Sequence, residues 1–148
     1  MTVMFCGHAD FQESAEIKER MISLLCEILD KDRSTVFYFG GYGAFDSFAF
    51  CCVKGCKQRY NTLKTVFITP YITPKYEKLA NAKIVYDECI YPELENVPLK
   101  FSIIERNKWM VEKSDIVVAY VNRGWGGARK TLEYAIRNKK RVFNLAEL

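Results

Sequence analysis

The chain predicts a three-layer α/β sandwich built on a mostly parallel sheet of five or six strands. Short runs rich in β-branched and aromatic residues alternate with amphipathic stretches along its length, the order that successive βαβ units take. Several of these runs stop at turn-forming residues, among them Gly7, Gly40-Gly41, Pro70 and Asn122. The run Asp115 to Val121 is apolar on consecutive positions after its opening acid, as a central strand covered on both faces requires. With 148 residues, 49% of them hydrophobic and 27% charged, the expectation is a single domain over 1–148 that buries roughly 70% of its extended surface without disulfides.

The first strand is expected over Thr2 to Cys6. Asp10 with Glu13 three residues on has the spacing of a capping box. Behind it Ile17, Met21, Leu24, Leu25, Ile28 and Leu29 recur at helical spacing, which gives the first helix. Ser34 to Phe39 is the second strand, and a helix through Ala44, Phe45, Phe48, Ala49, Cys52 and Val53 ends near Gly55 or Cys56. Leu63 to Thr69 is the third strand. Lys75 to Ala80 suits a short helix and Lys83 to Tyr86 a short strand, followed by a long connection from Asp87 and Glu88 through Pro92 and Pro98. Ser102 and Glu105 form a second capping box, ahead of a helix whose apolar face carries Ile103, Ile104, Asn107, Met110 and Val111. After the central strand, a helix over Arg129 to Asn138 with Leu132, Ala135 and Ile136 on one side leads into a final strand, Arg141 to Leu145.

The opening segment reaches His8, Asp10 and Glu13 too early for the apolar core of a signal peptide, and no run of 18 apolar residues follows. A cytoplasmic, reducing setting without membrane contact is the expectation. Cys6, Cys26 and Cys89 lie in apolar segments, where free cysteine acts as a small hydrophobe. Cys51, Cys52 and Cys56 lack the spacing of a zinc site and His8 is the single histidine, so neither a metal nor a cofactor is predicted. Lys plus Arg exceeds Asp plus Glu by 22 to 18. That excess suits a phosphate-bearing ligand and weak attraction to DNA alike.

In open α/β sheets the ligand crevice lies beyond the carboxyl ends of the strands. This rule selects Gly7 and His8, the loop Gly40-Gly41-Tyr42-Gly43, Thr69, and the segment holding Trp125, Gly126, Gly127, Arg129 and Lys130 as ligand-binding candidates. Glycine there allows positive φ and close approach of a ligand, and the following helix start offers N–H groups to a phosphate. Neither loop has the third glycine of a dinucleotide fingerprint or the Gly-Lys-Ser/Thr of a Walker loop. Tyr42, Phe45, Tyr71, Tyr120 and Trp125 are the aromatic candidates for stacking on a base, with Trp125 the sharpest because it stands between glycines. Asp46 and Asp115 are weaker candidates.

Glu105 to Met110, Ser114-Asp115 and Gly126-Gly127-Ala128-Arg129-Lys130-Thr131-Leu132-Glu133 together resemble the second half of the SLOG superfamily, and the resemblance covers most of the chain. This Rossmann-like group contains Smf/DprA, the cytokinin-activating "lonely guy" family and small YpsA-like proteins, to which the chain looks closest. The cytokinin-activating members carry Gly-Gly-x-Gly-Thr-x-x-Glu, whose glycines hold a nucleotide phosphate and whose glutamate, with an upstream arginine, acts on an N-glycosidic bond. Gly126, Gly127 and Glu133 fall on that spacing and Arg106 falls near the arginine, which makes Glu133 and Arg106 the catalytic candidates the resemblance implies. Arg129 and Lys130 replace the other glycine and the threonine. From the residues alone, Arg106 also suits a phosphate clamp through its planar fork, and Glu133 suits a surface pair with Arg129 or Arg137.

Three functions follow as expectations. The first is binding of a nucleotide or nucleotide-derived small molecule by a sensor or regulatory protein, as an oligomer of identical chains. The second is phosphoribohydrolase-like cleavage or transfer on nucleoside 5'-monophosphates. The third is binding of single-stranded DNA.

Overall fold

The computed structural model describes residues 1–71 and 85–147. Six strands form one sheet in the order β4-β3-β2-β1-β5-β6, and every neighbouring pair is parallel. In chain order the elements are β1 (Thr2–Gly7), α1 (Ala15–Lys31), β2 (Val36–Phe39), α2 (Ala44–Cys56), β3 (Lys64–Ile68) and β4 (Glu88–Ile90). A 3₁₀ turn (Leu99–Phe101) then precedes α3 (Ser102–Lys113), β5 (Ile116–Tyr120), α4 (Gly127–Arg137) and β6 (Arg141–Asn144).

Strand periodicity explains the three layers. Val3 and Phe5 of β1, Phe37 and Phe39 of β2, and Ile116 and Val118 of β5 pack against Met21, Leu25, Phe48 and Val53 of α1 and α2. Met4, Val66, Ile68 and Val117 point the other way and meet Met110 and Val111 of α3 and Ala135 of α4. Side chains alternate between faces along a strand, so a strand buried on both sides is apolar throughout. Phe5 stacks on Phe37 and Phe39 with ring centroids 6.0 and 5.2 Å apart.

Several boundaries differ from the sequence expectation. The cap of α1 is Ser14, whose hydroxyl accepts from the Ile17 N–H; Asp10 instead holds Arg123 in a salt bridge at 2.7 Å. Ser102 is the first residue of α3 and has no capping role, because the preceding 3₁₀ turn already starts the coil. The core face of α3 is Arg106, Met110 and Val111, whereas Ile103 and Ile104 are exposed. Ile136 is exposed as well. The fourth strand is Glu88–Ile90, where Asp87 anchors β3 through its carboxylate on the Thr65 N–H at 2.8 Å. The short helix expected at Lys75 to Ala80, and the start of the strand expected at Lys83, lie outside the described residues. Among the described residues no disulfide joins any of the cysteines.

Gly7, the last residue of β1, sits under α2. A Cβ there would lie 2.3 Å from the ring of Phe45, a ring fully enclosed by the core. Gly7→Ala is expected to lower unfolding free energy by about 1–3 kcal/mol through overpacking, read as a lowered midpoint in urea.

Candidate functional site

β1 pairs with β2 on one side and β5 on the other, so the connections leaving β1 and β5 diverge toward opposite faces of the sheet. At the carboxyl ends of these strands lies a crevice of about 340 Å³, within the size range of small-ligand pockets. Gly7, His8, Gly40, Tyr42, Arg106, Trp125, Gly126 and Gly127 line it, together with Phe45, Asp46, Asn107 and Thr131.

The two glycine loops have different structures. Gly41 (φ 73°) and Gly43 (φ 93°) adopt left-handed backbone, and the space a Cβ would need is filled by Phe67 at 2.1 Å and Ala9 at 2.9 Å. These glycines serve packing. The first amides of α2 are also engaged: Ala44 N–H donates to Ala9 O at 3.0 Å and Phe45 N–H to His8 O at 3.4 Å. The N–H groups of Gly40 and Gly41 each donate to the Asp46 carboxylate at 3.0 Å. Burial pushes that carboxyl up to about 6, while the two amides and Arg106 act in the opposite direction.

The second loop is open. Gly126 (φ 98°) caps α4 without any side-chain cap, and the first main-chain bond of the helix runs from Lys130 N–H to Gly126 O. The amides of Gly127, Ala128 and Arg129 precede it, the positions where a helix presents donors outward. Nothing lies within 4 Å of the Cβ positions of Gly126 and Gly127, so a ligand can approach this backbone closely. Trp125, 69% exposed, and Tyr42, 81% exposed, belong to the same crevice. The Arg123 guanidinium lies over the Trp125 ring at 5.4 Å.

Arg106 is only 5% exposed. Its Nη1 donates to Gly40 O and Ile68 O, both at 2.9 Å, and its Nε to Asn107 Oδ1 at 2.9 Å. The guanidinium thereby ties α3 to the ends of β2 and β3. His8 is buried, with Nε2 accepting the Asn122 N–H at 3.1 Å. Burial first, and then Arg123, hold its pKa below the usual value; the neutral ring therefore carries its proton on Nδ1.

The remaining candidates lie apart. Thr69 is buried and exchanges hydrogen bonds with the Tyr71 backbone. Arg129 donates to Glu133 at 3.1 Å across one turn, and neither these two nor Lys130 belongs to the crevice wall. Arg106 and Glu133 are thus not joined in one site. The carboxylate the crevice does hold is Asp46. Its signal in the sequence is an acid in the first turn of a helix after a glycine pair, a place that also serves simple capping. Among the described residues no group of histidine, cysteine and acid side chains is arranged to hold a metal, and no helix is long and apolar enough to cross a membrane.

Strand order and crevice together define a Rossmann-like α/β protein whose fold is that of DNA processing protein A. The chain superposes on DNA processing protein A from Helicobacter pylori, a protein described with a single-stranded DNA binding mode, with a TM-score of 0.64 at 21% identity, over 97% of this chain and 64% of that one. For DNA processing protein A of Streptococcus pneumoniae the TM-score is 0.64 at 19% identity, over 97% and 49% of the two chains. The chain thus spans about two thirds and one half of their lengths. In sequence it is similar to YoqJ, an uncharacterised SPbeta prophage-derived protein of Bacillus subtilis strain 168, with 25% identity over 137 residues, 81% of this chain and 80% of that protein. No family model matches the chain.

Proposed function

We propose that the protein binds single-stranded DNA at the crevice, with a phosphate on the amino end of α4 and a base on Trp125. The observation that carries this reading is the juxtaposition of an exposed tryptophan with the open, side-chain-free backbone of Gly126 and Gly127. Aromatic platforms hold bases of any sequence by their π-faces, and the partial positive charge of a helix start favours a phosphate oxygen. Tyr42 offers a second ring in the same crevice. The likeness in fold to DNA processing protein A supports a polymeric ligand, since the Helicobacter pylori protein binds single-stranded DNA.

A second reading, a sensor of a free nucleotide or nucleotide derivative, is favoured by the modest volume of the crevice. Cleavage of an N-glycosidic bond by Glu133 draws no support from its place beside Arg129 outside that wall. An oligomer of identical chains and a cytoplasmic setting remain part of the proposal.

Fluorescence anisotropy with a labelled oligothymidylate tests the reading. Saturable binding is expected, weaker for the duplex of the same sequence, falling with added salt with a log–log slope of about −0.7 to −1.4, as one or two phosphate contacts to a single strand require. No binding at low salt contradicts it. Thymidine 5'-monophosphate competing as strongly as the oligomer would replace it with the free-nucleotide reading.

A further inference from the structure

At the Gly40-Gly41 turn of the crevice, two main-chain amides are taken up by the chain's own carboxylate. Consecutive amides of Gly40 and Gly41 converge on Asp46, one on each oxygen, both at 3.0 Å. Successive main-chain N–H groups that converge on one point form an anion-binding concavity, and the forked pair of oxygens presented here by Asp46 is a pattern that a phosphate shares. Arg106 adds fixed positive charge at the same place, bonded to the carbonyl of Gly40 itself at 2.9 Å. Asp46, Gly40 and Arg106 all belong to the crevice wall, so the cradle opens toward the ligand rather than into the core.

We propose that the Gly40-Gly41 cradle is a phosphate subsite and that Asp46 is its built-in competitor, so that a phosphate group occupies it only when the carboxylate is neutralised or turned away. This rests on the reading of the crevice as a nucleic-acid site and adds a second contact, with its regulation, to the one at Gly126 and Gly127.

The groups that face the carboxylate fix the sign of the effect. From its own loop come the two amides, from α3 the Arg106 guanidinium, and from the segment before β4 the Tyr86 phenol, itself pushed up by burial and by Asp46. Tyr71 faces Arg106 from the end of β3. Of these, Asp46 is the group whose carboxyl burial brings up to about 6. Acidification through that value removes the negative charge from the cradle. His8, in the same crevice, is the other group that gains a proton on acidification, and a variant at Asp46 separates the two.

The experiment measures oligothymidylate affinity for the wild type and Asp46→Asn between about pH 5 and pH 8, a range in which neither the phosphodiesters nor thymine titrates. Wild-type affinity is expected to rise about tenfold on acidification, while Asp46→Asn binds about tenfold more tightly than wild type at neutral pH and loses most of the pH dependence. Thermal melting verifies that the variant is folded; if it is not, Asp46→Ser takes its place and the wild-type pH profile stands on its own. Unchanged or weakened binding in the folded variant, or a flat wild-type profile, overturns the subsite while leaving the parent reading in place. Absence of binding by both proteins at every pH overturns the parent reading and the subsite with it.

Discussion

Arg106→Ala is expected to lower unfolding free energy by about 3–5 kcal/mol, the largest stability loss of any substitution in the crevice wall. The guanidinium is buried, and two of its bonds go to carbonyls at the ends of neighbouring strands, Gly40 O and Ile68 O. Truncation leaves the buried Ile68 carbonyl and the part-buried Gly40 carbonyl without their donor. Each such orphan costs about 1–3 kcal/mol. Arg106→Lys is expected to recover only part of the loss, because a single ammonium cannot reach Gly40, Ile68 and Asn107 in one plane. Urea unfolding of the three proteins decides the matter: an alanine variant as stable as wild type contradicts this account of how α3 is held to the sheet.

Trp125→Ala carries the largest expected effect on binding, a loss of about 1–3 kcal/mol in oligothymidylate affinity, the range measured for removal of one stacking ring. Its fold is expected to stand, since the indole is mostly solvent-exposed and packs chiefly against Arg123. Trp125→Phe should restore most of the affinity, as a ring of either kind presents a π-face. Titration by anisotropy, with melting as a control, checks both. Equal affinity in Trp125→Ala and wild type would remove the tryptophan from the site.

Much of the architecture was legible in the sequence because burial on both faces writes itself as uninterrupted apolar residues. Val3 to Phe5 and Ile116 to Ala119 have no polar member, and the strand–helix alternation fixes the parallel pairing that the sheet shows. Boundaries were less legible. A carboxylate three residues before another one reads as a cap wherever it falls, yet Asp10 is drawn off by Arg123, a partner 113 residues away in the chain. Ile103 has helical spacing to Met110 but lies at the crevice end of that face and stays exposed, while Arg106, one turn on, takes the inward place. The end of β5 and both glycine loops were found from the rule that ligands gather beyond strand ends. What the rule does not distinguish is an amide loop that is open from one that is filled. Gly40-Gly41 and Gly126-Gly127 look alike as sequence; only the spatial return of Asp46, Phe67 and Arg106 onto the first pair separates them. Arg106 was legible as a residue of the crevice, while its attachment to Ile68 depended on a contact across 38 residues.

The central claim is that a nucleic-acid phosphate and base meet at the amino end of α4. Its most direct test is an amide and indole NMR map of the uniformly labelled protein during titration with oligothymidylate. The account predicts saturating shifts at the Gly127 and Ala128 amides and the Trp125 indole, with the groove between α1 and α2 around Phe48 and Cys52 unmoved. Shifts confined to that groove, or none at the amino end of α4 while the oligonucleotide binds, would contradict it.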